Sequence, residues 1–295
     1  TPSSNPTGGD ASGAKQFTVS VWLKRGKLSV AQAVFAADAS VNSTMAVQLA
    51  GASGSTLADQ IDFDQESGGS PRDRMIPSAL YRDVSAWYHY CLMVDTTQAT
   101  AADRLKIAIN GVLVSDWYTN DPPALNAYFQ WNKNSVLQRI GSNAHNVGNL
   151  FDGYMAEFHN VDGVAAETSF GEFNDDGVWV PKAFTGTYGT NGFYITGADS
   201  AALGTDYSGN GNDFTSSGLA AADQVTDTPT LNYPVISPID YQTGSNVTIS
   251  DGNLTFQNAN SGSANDARAT FAVNSGKYYW EVEADALGQS GVGRE

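Results

Sequence analysis

This sequence predicts an all-β protein whose main part is an antiparallel sandwich. Three observations carry that prediction. The first is Trp87–Asp95, where two apolar-leaning sets alternate: Tyr88, Tyr90, Leu92 and Val94 against Trp87, His89, Cys91 and Met93. A strand apolar on both faces is covered on both, so it belongs in the middle of a layered structure. The second is the hairpin that follows. Leu105, Ile107 and Ile109 share one face of a half-solvated strand, Asn110-Gly111 supplies the two positive-φ positions of a tight turn, and Val112–Val114 return. The third is composition. Thirty Gly suit many turns between short strands, and no heptad run or membrane-length apolar run interrupts them.

The elements follow in order. Residues 1–15 are rich in Pro, Gly and Ser and read as a loop. Phe17–Lys24 alternates, with Phe17, Val19, Val21 and Leu23 on the core face. Val30–Ala37 and Thr44–Leu49 read as strands, Ile61–Asp64 more weakly, and Met75–Val84 as a strand broken at Pro77. After the hairpin come a short aromatic run, Asn126–Trp131, and a strand over Val136–Gly141. Tyr154, Ala156 and Phe158 then alternate with Met155, Glu157 and His159 between two Asp-Gly turns. Ser169–Phe173 suits one helical turn, and Gly192–Thr196 one more strand. Residues 218–243, with three prolines, read as an extended linker. Alternation resumes from Gly244, with Asp251-Gly252 joining a hairpin and a strong strand over Lys277–Ala286. The expected organisation is a sandwich over 1–217, the linker 218–243, and the first part of a second β-domain over 244–295, cut short. Thr1 shows no secretory signal and reads as an internal start.

Charge narrows the partners. With 15 Lys plus Arg against 31 Asp plus Glu, the formal charge of -16 repels nucleic acid and anionic lipid and suits cations or neutral sugars. The single cysteine, Cys91, excludes an internal disulfide framework and reads as a buried small hydrophobe. His89, His145 and His159 have no zinc spacing. No G-x-S-x-G or phosphate-cradling glycine motif occurs, and GQSGVG misses the former by one place. Glycosidase carboxylates are paired in space, so Glu157, Glu172, Asp175 and Asp176 are the first acids to inspect, against the plainer reading of solvated turn acids.

Two groups of residues suggest binding. Trp117, Tyr118, Tyr128 and Trp131 lie in or near loops beside Asn120, Asp121, Asn126 and Asn132. Aromatic faces next to planar polar groups are what sugars need, and packing beneath the loop is the competing reading. In DYSGNGND, Asp206, Ser208 and Asn210 alternate before Gly211, as in the first half of a calcium loop, with Asp213 as a further ligand. Ser217 stands where such a loop has its bidentate Glu, and an Asx turn explains the same residues.

Three stretches together resemble known groups. FTVSVWLKRG with WYHYCLMVD and LKIAINGVLV, and then FDGYMAEFHNVDG, look like the laminin-G/concanavalin-A-like jelly roll. FGEFNDDGVWVPKAFTGTYGTNGFYITGADS with ALGTDYSGNGNDF resembles a subgroup found in virion proteins of tailed bacteriophages. SGKYYWEVEADALGQSGVGRE looks like the opening of a SPRY-type domain. The resemblance implies a non-enzymatic virion protein, a fibre or adhesin whose sandwich loops bind host-surface glycan, trimeric by analogy. It also implies other virion proteins as partners, with neither nucleic acid nor membrane insertion. Two other roles stay open: a capsid decoration protein without specific glycan, and the binding module of a secreted carbohydrate-active enzyme. In a phage protein made in bacteria, the N-x-[ST] matches at Asn42, Asn246 and Asn253 are chance.

Overall fold

The computed structural model describes residues 1–283 apart from 12, 41–42, 54–55, 68–71, 242–246 and 260–264. Asn42, Asn246 and the GQSGVG segment lie outside the described residues. The strands of the sandwich are β1 (Gln16–Arg25), β2 (Gln32–Ser40), β3 (Ser43–Leu49), β4 (Ile61–Ser67), β5 (Arg72–Pro77), β6 (Trp87–Asp95), β7 (Leu105–Ile109), β8 (Val112–Leu113), β9 (Trp117–Asp121), β10 (Leu137–Ile140) and β11 (Gly153–Val161). Later come β12 (Gly171–Phe173), β13 (Trp179–Pro181), β14 (Phe193–Ile195), β15 (Ile236–Tyr241), β16 (Val247–Ser250), β17 (Thr255–Asn258) and β18 (Ala267–Ala269). One six-stranded sheet runs β14-β11-β1-β6-β7-β8 and the other β10-β2-β3-β4-β5-β9. The pairs within both are antiparallel, so the predicted jelly-roll sandwich is the fold.

The core lies between the sheets. Phe17, Val19, Val21 and Leu23 of β1 and Tyr90, Leu92 and Val94 of β6 meet Phe35, Met45, Val47 and Phe63 of the opposite sheet. The other face of β6 is covered too, by the chain that follows the sandwich. Cys91 and Met93 pack with Phe170, while Trp87 and Trp22 pack with Trp179 and Val235. Burial pushes the Cys91 thiol up, as suits an inert core residue. Trp179 is seated where two glycines leave room. A Cβ at Gly111 or at Gly171 would come within 2.4 Å of its indole. Asn110 and Gly111 have φ of 48° and 75°, the positive values the hairpin turn demands.

Several expectations change. The strand β11 does not alternate throughout. Glu157 has φ 51°, and the pairing with β1 slips between Ser20 and Trp22. This bulge puts Phe158 in the core with Met155, while Tyr154 and Ala156 pack on the outer face. The helical turn expected at Ser169–Phe173 is split into a short 3-10 turn, Glu167–Ser169, and the strand β12. β12 pairs with β13 and lays Trp179 over the first sheet. The segment expected to be a linker does not run free where it is described: after a short 3-10 turn over Ala221–Asp223, Asp227, Asn232 and Tyr233 bind Lys24, and Val235 packs on Trp22 and Trp87. Burial of apolar surface and of one lysine holds the segment down. Beyond it, β16 and β17 form the expected hairpin. The strong strand expected from Lys277 is absent over 277–283, which is exposed and pairs with no strand among the described residues. A period-2 pattern needs a neighbour to become a strand.

Candidate functional site

The chain leaves the first sheet at β8 and enters the second at β9 through residues 114–116. These two strands are the free edges of their sheets. Where the edges part, a cleft of about 170 Å³ opens, lined by Met75, Ala102, Leu105, Lys106, Leu113, Val114, Trp117 and Asn120. The register explains the lining. Asn120 pairs with Met75 and Trp117 with Pro77, the ladder slipping between Ile76 and Pro77. Trp117 is half-buried and packs against the core, while Asn120 is exposed. The cleft therefore has an apolar floor and, among its lining residues, one tryptophan, one asparagine and one lysine. The ammonium of Lys106 lies 2.9 Å from Asp103, each side chain a little under half exposed (43% and 45%).

The five residues proposed for glycan binding separate. Trp117 and Asn120 come together in the cleft. Tyr118 stands exposed on β9 beside them. Tyr128 is committed elsewhere: its hydroxyl donates to Asp10 at 2.8 Å, and Lys15 lies over its ring at 4.6 Å from the centroid. Trp131 is fully buried, which removes it from the site. Its ring packs on Phe35 and Phe193, and its Nε1 donates to Asn160 at 2.9 Å. A fully buried indole has no face left for a sugar. Leu105, Leu113 and Met75 carry no site signal in the sequence, where each is an ordinary strand residue. Their shared cleft comes from two sheets meeting.

The residues expected to hold calcium are engaged in hydrogen bonds within their own loop. Asp206 Oδ1 accepts from the N–H groups of Tyr194 and Ser208, and its Oδ2 from Ser208 Oγ and the Asn212 N–H, all within 2.9 Å. Asp213 accepts from the Asp206 N–H. Asn210 turns its amide nitrogen to the carbonyls of Gly189 and Gly192. Donor groups, the Ser208 hydroxyl among them, converge on Asp206, and the loop has the hydrogen bonds of an Asx-type closure. Among the described residues no group of three or more His, Cys, Asp or Glu is arranged to hold a metal.

The histidines are structural in their contacts. His89 is fully buried, its Nδ1 accepting from Trp179 Nε1 at 3.0 Å and its Nε2 2.8 Å from Ser20 Oγ. Burial, with His159 adding to it, pushes its pKa down to about 3, so the ring is neutral. His145 is exposed in a loop. His159 is held by the Tyr188 hydroxyl at 2.8 Å and stacks on Tyr194 at 4.1 Å. Burial works against ionisation of Glu157, but His159 and the Tyr194 hydroxyl outweigh it and hold the carboxyl below its usual range. The other acids are turn and surface groups: Glu172 faces Lys182 at 3.4 Å, and Asp175 and Asp176 are exposed before β13.

Residues 5–168 match the family described as the Concanavalin A-like lectin/glucanases superfamily. No match is found among curated proteins. Among solved structures the chain is similar to domain 4 of the GH43 extracellular arabinanase of Geobacillus stearothermophilus, solved with arabinotriose. That likeness has 20% identity and a TM-score of 0.37, covering 53% of this chain and 65% of that one, just under two thirds of its length. The CBM40 of the Ruminococcus gnavus IT-sialidase, bound to α2,3 sialyllactose, has 13% identity and a TM-score of 0.39, covering 53% and 81%. Tailspike protein 2 of an Escherichia coli O157:H7 bacteriophage has 12% identity and a TM-score of 0.37, covering 57% and 21%.

Proposed function

The chain belongs to the Concanavalin A-like lectin/glucanases superfamily, and we propose that it acts as a non-catalytic glycan-binding module through the cleft between β8 and β9. One observation carries the reading: Trp117 and Asn120, an aromatic ring and a planar amide, line the same partly apolar cleft. A pyranose offers a C–H face to the ring and hydroxyls to the amide. At about 170 Å³ the cleft is smaller than the roughly 300 Å³ at which drug-sized pockets begin. It suits one sugar unit at a time. Single-unit binding is weak, and presentation of several copies on one surface makes it useful.

The role that fits is a fibre or adhesin of a tailed bacteriophage, with the sandwich displayed on the virion and other virion proteins and further copies of the chain as partners. The FGEFNDDGVWVPKAF stretch and its continuation support it, by resemblance. Glycan arrays probed with the chain and with Trp117→Ala test the binding. Binding abolished by Trp117→Ala with the fold intact is the expected result, and retained binding overturns the site. Antibody labelling of intact virions tests the location.

A further inference from the structure

Which sugars the cleft would take follows from its charges, an argument that rests on the glycan-binding reading above. Lys106 is the one cation among the lining residues, and Asp103 meets it at 2.9 Å. Nearby Arg104 offers no free anion site, because its guanidinium donates to the carbonyls of Gln98, Ala99 and Pro123. The cleft's one lysine is thus already matched by a carboxylate, on a chain of formal charge -16.

We propose that the cleft selects uncharged sugar units and rejects acidic ones, with the Asp103–Lys106 ion pair reading hydroxyl groups. The pair places a hydrogen-bond acceptor next to a donor. Neighbouring hydroxyls of a neutral sugar match that arrangement, each able to give and to receive. A uronic or sialic acid brings a carboxylate that competes with Asp103 for Lys106 and meets the field of a chain with a formal charge of -16. Apolar Met75, Leu105, Leu113 and Val114 supply no donor to offset it.

Matched pairs of methyl glycosides that differ only at C6 test this: glucoside with glucuronide, galactoside with galacturonide, mannoside with mannuronide. The readout is the indole N–H signal of Trp117 in the full chain, identified by its loss in Trp117→Phe. A neutral glycoside that shifts this signal is expected to bind at least tenfold more tightly than its uronide at low salt. That gap is expected to narrow with added salt and in Asp103→Asn. A uronide binding as tightly as its neutral partner, or more so, overturns the selectivity while the glycan site stands. A Trp117 signal unmoved by all six overturns the site and the selectivity together.

Discussion

Lys24 and Asp227, 203 residues apart in the chain, meet at 2.6 Å with the lysine side chain wholly out of solvent. The ammonium also donates to Asn232 Oδ1 at 2.7 Å and to the Tyr233 carbonyl at 2.6 Å, so its three donors are all used. Asp227 in turn accepts from Trp87 Nε1 at 2.9 Å. The pair fastens the segment 225–235 across the outer face of the first sheet, where Trp22 and Trp87 would otherwise meet water.

Removing one partner strands the other. Asp227→Ala is expected to cost about 3–5 kcal/mol, because it leaves a buried ammonium without its counter-charge. Replacing both, as Lys24→Met with Asp227→Leu, is expected to cost much less. Chemical denaturation of the three chains checks this. Limited proteolysis gives a second readout: wild type resists cleavage over 225–235, and Asp227→Ala is cut there.

Acid is expected to weaken the fold through His89. Its folded pKa, about 3, lies below the unfolded value of 6.5. The unfolded chain therefore takes up the proton first. The stability tied to the neutral ring is present in full above pH 6.5 and declines as pH falls from there towards 3. Between pH 6.5 and 5 the loss from this group is about 2 kcal/mol. Burial lowers His159 as well, which works in the same direction. Denaturation at pH 7 and pH 5 is expected to show a smaller difference for His89→Gln than for wild type.

Asp73 has the opposite sign. Burial, with the charge of Asp121 adding to it, raises its carboxyl from 3.8 to about 6. Ionised Asp73 therefore burdens the fold in full above pH 6. The burden shrinks as pH falls towards 3.8 and is absent below that. Asp73→Asn is expected to stabilise the protein at pH 7.5 by on the order of 1 kcal/mol, reduced from the full shift because the group is partly solvated. The gain disappears by pH 4. Melting curves at both pH values measure it, and a gain of equal size at pH 4 contradicts the assignment.

The two tryptophans are expected to behave differently. Trp131→Ala removes an indole from between Phe35 and Phe193 and leaves Asn160 without that donor, at a cost of about 3–5 kcal/mol. Trp117→Ala is expected to cost less stability, since its ring is half-buried, and to act on binding. Denaturation midpoints set beside glycan-array signals separate the two effects.

Much of the sandwich is legible in local pattern. The two faces of Trp87–Asp95, the core set of β1 and the Asn110-Gly111 turn follow from a side-chain period of two and from residues that tolerate positive φ. The bulge at Glu157 is not legible in that way, because it changes which residues share a face without changing their order. The candidate site was half legible. Trp117 and Trp131 are both aromatic residues beside Asn, and nothing within a few residues of either distinguishes a cleft wall from a core.

By itself, the sequence determined the class of fold and the central strands β1, β6 and β7, since these depend on neighbours in the chain. Tertiary structure alone decided that Trp131 is packed away, that Trp117 meets Asn120 beside Met75 and Leu113, that the Asp206 loop closes on itself, and that Asp227 reaches back to Lys24. Each of these is a contact between segments far apart in the chain. Such contacts are set by how two sheets stack and which surfaces must leave water, and no local pattern encodes them.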